Sequence, residues 1–216
     1  MSNIDSALVY VIDDDAEVLG ALGSLLRSTG YEVQLFDSPH AFTASAKPDM
    51  PSCLVLDVRL RAESGLDFQS ALKARGMLIP VILITGHGDI PMTVRAMKSG
   101  AVDFLPKPFR EEDILSAVAA AVRRDRANRA EAAEIADLVG RYATLTEREK
   151  EVIGLVTAGL MNKQIAAQMG LSEVTVKIHR GNATRKMAAQ SLADLVRMAE
   201  ALGVRDQSVS RFRASA

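Results

Sequence analysis

The sequence predicts an α/β fold, a five-stranded doubly wound parallel sheet, followed by a small all-α helix-turn-helix domain. Three observations predict it. Through residues 1–125, short apolar runs alternate five times with amphipathic stretches. Three of the runs are almost continuously apolar, as strands covered on both faces require. Beyond residue 110 the strand-like runs stop, and capped helical segments rich in charge replace them.

The elements follow in order. ALVYVI (7–12) predicts the first strand, and Asp15 then stands at the start of a helix over 16–29, where negative charge is favourable. YEVQLF (31–36), CLVLD (53–57), PVILIT (80–85) and AVDFL (101–105) predict the remaining strands. Helices over 39–46, 65–75, 89–99 and 111–126 separate and follow them. Acidic residues Glu111, Glu112 and Asp113 open the last of these and basic residues come later, an order the helix dipole favours. Nothing breaks that helix before Gly140, so it is expected to run on to about residue 139 as a helical linker. A hinge near Asp125–Asn128 is the alternative.

The last segment opens on LTEREKEVIGLVTAGL. Thr146 and Glu149 form a capping box that starts a helix near 147, and Gly159 suits its C-terminal end. Asn162 is expected to cap the short helix NKQIAAQM. Gly170 makes a turn, and Ser172 caps EVTVKIHRGNATRKM. A short helix, a glycine turn and a basic helix make a helix-turn-helix. SLADLVRMAEAL (191–202) reads as a fourth amphipathic helix, and 205–216 as a flexible tail.

Composition narrows the function classes. The chain has 216 residues, 48% hydrophobic and 25% charged, with a net charge of −1. That balance is uneven. Residues 1–143 carry 15 Lys+Arg against 20 Asp+Glu, whereas residues 144–216 carry 11 against 7. An acidic first part joined to a basic second part suggests two tasks, the second on a polyanion. The single Cys53 excludes an intrachain disulfide and reads as a small core residue in a reducing compartment. No run approaches the ~20 apolar residues of a membrane span, and MSNIDSALVY lacks the basic start of a signal peptide. A cytoplasmic protein without membrane contact is expected.

In a doubly wound sheet, ligands bind outside the carboxyl ends of the strands. Asp13 and Asp14 follow the first strand, Asp57 closes the third, Thr85 closes the fourth, and Lys107 with Pro108 follows the fifth. Oxygen ligands at that density suit a hard cation such as Mg²⁺, and Lys107 suits a phosphoryl group or the acids themselves. The bland alternative is a set of solvated loop carboxylates. It is disfavoured because separate strands deliver the acids to one rim.

These residues, with DVRL…SGLDF and TGHGDIPMTVRAMKSGAVDFLPKPF, resemble the receiver domain of two-component response regulators, a flavodoxin-like fold, and the FixJ type especially. LTEREKEV, NKQIA and SEVTVKIHRGN…RKM resemble the LuxR-type DNA-binding domain. Together they look like a NarL/FixJ response regulator, with a receiver over 5–125, a linker over 126–143 and a DNA-binding domain over 144–204.

The resemblance implies that Asp57 accepts a phosphoryl group from a cognate sensor histidine kinase. Mg²⁺ (or Mn²⁺) would be held by Asp13, Asp14, Asp57 and the backbone carbonyl of Arg59. Thr85 would meet the phosphoryl oxygens and Lys107 would pair with them. Phe104 would be the ring that turns inward when Thr85 moves; simple core packing is its alternative. Lys107–Pro108 resembles a family site with a cis peptide bond. Arg59 and His87 occupy positions that tune phosphoryl lifetime. Arg61 departs from the family's frequent Pro, which bears on loop stiffness. GHG (86–88) hints at a phosphate loop, but a lone G-x-G without the remaining pattern is a weak signal.

In the recognition helix, Val176, Ala183 and Met187 are spaced to face the core, and Val174, Lys177, Ile178, Gly181 and Arg185 the opposite side. Lys177 and Ile178 are the candidates for base edges. Arg180, Arg185 and Lys186 are candidates for phosphates, with Thr175 and His179 as lesser ones. Gly181 inside a helix suggests close approach of the backbone to the major groove.

The expected function is a phosphorylation-switched, non-enzymatic transcription regulator that dimerises on double-stranded DNA, with RNA polymerase as a further partner. The family places its dimer face on the fourth helix and fifth strand (89–105), with the last helix (191–202) added on DNA. A phosphatase using Asp57 as nucleophile is the enzyme alternative, but Arg59 stands where such hydrolases carry a second acid. A dinucleotide-binding enzyme lacks its Gly-rich turn.

Overall fold

The structure, a computed structural model, describes residues 6–61, 63–86 and 90–204. Its elements are β1 (Leu8–Ile12), α1 (Ala16–Ser28), β2 (Glu32–Phe36), α2 (Pro39–Ala44), β3 (Ser52–Asp57), α3 (Gly65–Ala74), β4 (Val81–Thr85), α4 (Ile90–Lys98), β5 (Asp103–Pro106) and α5 (Glu111–Ala143). Then come α6 (Glu147–Thr157), α7 (Asn162–Met169), α8 (Glu173–Lys186) and α9 (Leu192–Ala201). Residues up to Arg129 form one compact unit and residues from Ala130 onward another.

In the first unit all strand pairs are parallel, in the order β2-β1-β3-β4-β5. β1, β3 and β4 are buried along their whole length, which accounts for their unbroken apolar sequences. β2 and β5 lie at the edges and are partly exposed. Alternate residues feed the two faces. Val9, Val11, Cys53, Val55, Ile82 and Ile84 pack with Leu22 and Leu26 of α1 and with Ile114, Val118 and Val122 of α5. Leu8, Tyr10, Ile12, Leu54, Leu56 and Leu83 pack with α2, α3 and α4.

Cys53 is fully buried in the first layer, and burial pushes its thiol up to about 12. Asp15 caps α1, its carboxylate accepting from the N–H groups of Glu17 and Val18. β5 runs from Asp103, two residues later than the apolar pattern suggested, because Gly100, at φ 92°, carries the turn after α4.

Helix α5 runs from Glu111 to Ala143, through Asp125–Asn128. It passes through Gly140 and ends four residues beyond the sequence expectation. Arg141 pairs with Asp137 one turn earlier, and Leu138 and Tyr142 pack in the core of the second unit, so the final turn has support that a lone glycine does not cancel.

In the second unit the Thr146–Glu149 capping box is present in full. Ser172 caps α8, and Gly170 turns the chain at φ 64°. Asn162 is not the cap of α7. Met161 holds that position, its N–H donating to Gln164 Oε1 at 2.9 Å, and Asn162 is the first helical residue. The long Gln164 side chain reaches back over the helix start and accepts from the Met161 N–H, the reciprocal half of a capping box. The segment 205–216 lies outside the described residues.

Candidate functional site

Strand register brings the sequence candidates level. Ile12 pairs with Leu56, Asp57 with Ile84, and Thr85 with Pro106, so the residues that close these strands or follow them share one rim. There Asp13, Asp14 and Asp57 each offer a carboxylate oxygen, and the three oxygens lie within 4.8 Å of one another. Asp13 is fully buried and Asp57 nearly so. Lys107 bridges them, with Nζ 2.6 Å from Asp13 Oδ2 and 3.2 Å from Asp57 Oδ2. Asp13 Oδ1 also accepts from the Asp15 N–H at 3.0 Å, and Asp57 Oδ1 from the Arg59 N–H at 3.3 Å. Thr85 is completely buried at the end of β4. Its carbonyl accepts from the Lys107 N–H at 2.7 Å, and Lys107–Pro108 is cis.

The electrostatics follow from this crowding. Burial pushes the Asp57 carboxyl up, and the Asp13 charge adds to that; the Lys107 charge and the Arg59 N–H oppose it. Burial works against the charge on Lys107, but the hydrogen bond to Asp13 and the two carboxylate charges outweigh it and the ammonium is held upward. Three hard oxygen donors converging from two strand ends fit a small divalent cation that keeps some of its own water. When bound, such a cation would offset the negative charge gathered when one anion attacks another.

Phe104 is half-buried beside the second core layer, on the strand next to Thr85. Arg59 joins Ser64 in an isolated antiparallel bridge that closes the loop after β3. His87 lies outside the described residues. Two features escape single-residue reading. A Cβ on Gly65 would stand 2.2 Å from the Asp57 carbonyl oxygen, so only glycine lets α3 start against the end of β3. Only the Ser-Gly pair hinted at this. Arg61 Nε reaches Asp14 Oδ2 at 2.9 Å, a partnership no sequence spacing announces.

The second candidate surface lies on α8. Val176, Ala183 and Met187 are buried, as their spacing requires. Lys177, Gly181 and Arg185 are exposed, together with Val174 and Ile178, whose apolar side chains face solvent at 69% and 57%. Two apolar residues held out of the core beside basic ones match a groove-reading surface better than a packing face. Thr175 Oγ1 lies 2.8 Å from Ser172 Oγ at the helix start, and His179 is half-exposed. Arg180 Nη1 donates to Asn162 Oδ1 and Arg185 Nη2 to Asn182 Oδ1. Lys186 Nζ is engaged inside the fold, 2.7 Å from Glu149 Oε2 and 3.1 Å from the Thr144 carbonyl.

Comparison with known proteins assigns a family to each of the two units. Residues 9–119 match the response regulator receiver domain, and residues 143–199 match the luxR family of bacterial regulatory proteins. Nodulation protein W of Bradyrhizobium diazoefficiens is 54% identical, over 92% of this chain and 87% of its own. The transcriptional regulatory protein FixJ of the same organism is 39% identical, over 91% and 96%. Among solved structures, response regulator StyR superposes with a TM-score of 0.79 at 45% identity, covering 91% of this chain and 99% of its own. The chain belongs to the two-component response regulators of the NarL/FixJ family, transcription regulators that join a receiver domain to a LuxR-type DNA-binding domain.

Proposed function

We propose that Asp57 is the phosphoacceptor. The observation that carries this is the pairing of a nearly buried Asp57 carboxylate with Lys107, beside two further acids. An Asp57 oxygen attacks the phosphorus of a phosphohistidine on a cognate sensor kinase. The new bond is an acyl phosphate, the P–N bond breaks, and the imidazole leaves with the electron pair and takes up a proton. Asp13, Asp14, Asp57 and the Arg59 carbonyl hold Mg²⁺, or Mn²⁺ in its place. Lys107 pairs with the incoming phosphoryl oxygens, and Thr85 bonds one of them. Phe104 then turns into the space beside Thr85. Arg59 and His87 adjust how long the phosphoryl group persists.

Phosphorylation adds charge and strong acceptor oxygens at one rim, and shifts an existing equilibrium toward a dimer. Exposed Ile90, Val94 and Met97 on α4 support a dimer face there, continued by β5. The dimer reads two half-sites of double-stranded DNA through α8, with Lys177 and Ile178 at base edges. Arg180 and Arg185 contact phosphates, with Thr175, His179 and Lys186 beside them and Gly181 close to the groove. The protein acts in the cytoplasm and hands its signal to RNA polymerase. No described helix is long and apolar enough to cross a membrane. The receiver occupies 5–125, the linker 126–143 and the DNA-binding domain 144–204.

The test compares wild type with Asp57→Asn, with and without a small-molecule phosphodonor and Mg²⁺. Phosphodonor is expected to drive dimerisation in sizing experiments, and duplex selection from a randomised pool, in wild type only. Equal DNA binding with and without phosphodonor in wild type would sink the switch.

A further inference from the structure

Arg61 lies near the tip of the short loop between β3 and α3, and that loop is pinned at both ends. The Gly65 N–H donates to the Val58 carbonyl at 2.9 Å, Arg59 and Ser64 pair across the base, and Gly65 abuts the Asp57 carbonyl. The base of the loop is therefore anchored beside Asp57. From the tip the Arg61 guanidinium turns back over the rim to Asp14, with Nε 2.9 Å from Oδ2. The three acids thus divide between two cations: Lys107 serves Asp13 and Asp57, and Arg61 serves Asp14.

The two cations differ in how firmly they are held. The Lys107 side chain is 20% exposed, but that of Arg61 is 83% exposed. An ion pair so open to water is weak and exchanges readily. A divalent cation bound by Asp14 would have to take that oxygen from Arg61, or bind within a few ångströms of its positive charge. Either way the guanidinium opposes the cation.

We propose that Arg61 sets the divalent-cation affinity of this site, its guanidinium competing with the cation for Asp14. The inference rests on the reading of Asp13, Asp14 and Asp57 as the cation's ligands. The tethered guanidinium keeps the acids charge-balanced when divalent cation is scarce. It raises the concentration at which the site fills, and leaves toward solvent when it does.

The test counts free Mn²⁺ by electron paramagnetic resonance during titration of the full-length protein at low ionic strength. Arg61→Gln removes the charge at an exposed loop position and should bind Mn²⁺ about 2- to 5-fold more tightly than wild type, the range an exposed ion pair supports. Arg61→Lys, which keeps the charge, should stay near wild type. The gap between wild type and Arg61→Gln should narrow in about 0.5 M salt, where charges are screened within a few ångströms. Equal or weaker binding by Arg61→Gln at low salt overturns the proposal. A wild type with no saturable Mn²⁺ binding, or an Asp13→Asn variant that binds as wild type does, overturns the ligand reading itself and the proposal with it.

Discussion

The Lys107 ammonium lies 2.6 Å from Oδ2 of Asp13, a carboxylate with no exposure to solvent. The strand ends place it there, since β1 and β5 are not neighbours and meet only across the rim of β3 and β4. Removing one partner of a buried pair leaves the other charged and unmatched, which costs roughly 3–5 kcal/mol. Lys107→Ala is therefore expected to lower unfolding free energy by about 3 kcal/mol in the absence of divalent cation. Added Mg²⁺ should recover part of the loss, because it stabilises whatever folded state it binds. Urea unfolding with and without Mg²⁺ measures both effects. A variant as stable as wild type in chelator would mean that the ammonium does not hold the acids together.

At the opposite end of the sheet, Asp125 of α5 makes a different kind of link. Its Oδ2 accepts from the Ser52 N–H at 2.8 Å, at the start of β3, and from Arg129 Nε at 2.7 Å. Asp125 is nearly buried, and the Ser52 N–H lies at the head of a fully buried strand. Asp125→Ala leaves that donor without its acceptor and should cost about 1–3 kcal/mol. Asp49 pairs with the same Arg129, but its side chain is 99% exposed. Asp49→Ala should change stability by no more than about 0.5 kcal/mol. Equal losses in the two variants, measured by chemical denaturation, would refute the distinction.

What the sequence discloses about this protein depends on how local each signal is. Alternating apolar runs and amphipathic stretches are local, so the sheet and the residues at its strand ends follow directly. Asp13, Asp57, Thr85 and Lys107 needed only the rule that parallel strands end on one side. The Thr146–Glu149 box is likewise written in four residues. Arg61–Asp14 and Asp125–Ser52 join residues far apart in sequence, and no periodicity encodes them. Asn162 is instructive in the other direction. Its residue type favours a cap, but the preceding Met161 takes the place because Gln164 reaches back to its N–H. Lys186 was legible as basic, yet its engagement with Glu149 depends on a fold contact.

Glu149 gives the second unit a pH dependence whose sign can be worked out. The Lys186 hydrogen bond, the Thr146 N–H and the Lys186 charge hold its carboxyl below the ordinary 4.5, against the opposing effect of burial. A depressed carboxylate contributes stability that is fully present above its unfolded value, and that contribution disappears as pH falls through the folded value. Glu149→Gln keeps the reciprocal cap but loses the charge that faces Lys186, and should therefore be less stable than wild type by about 1 kcal/mol near pH 7. The difference should persist down to about pH 4.5 and shrink below it. Unfolding free energies of both proteins across that range decide the matter. A gap that widens as the solution becomes more acidic would contradict the assignment.

Two glycines should respond oppositely to the same substitution. At Gly65 a Cβ meets the Asp57 backbone carbonyl at 2.2 Å, and neither α3 nor β3 can move aside without displacing Asp57. Gly65→Ala should destabilise the protein by about 1–3 kcal/mol, the cost of overpacking a tight site, and slow its phosphorylation. At Gly181 a Cβ meets nothing within 4 Å, and the residue lies inside α8 on its exposed side. Gly181→Ala should stabilise the free protein by about 0.5–1 kcal/mol, the helix preference of Ala over Gly. If the helix backbone approaches the major groove at this point, the added methyl should also weaken DNA binding. Thermal unfolding and a duplex-binding titration of the same variant separate the two effects. A Gly181→Ala protein that is more stable and binds DNA as tightly as wild type would remove the groove-approach role while leaving helix propensity as the whole account of the stability change.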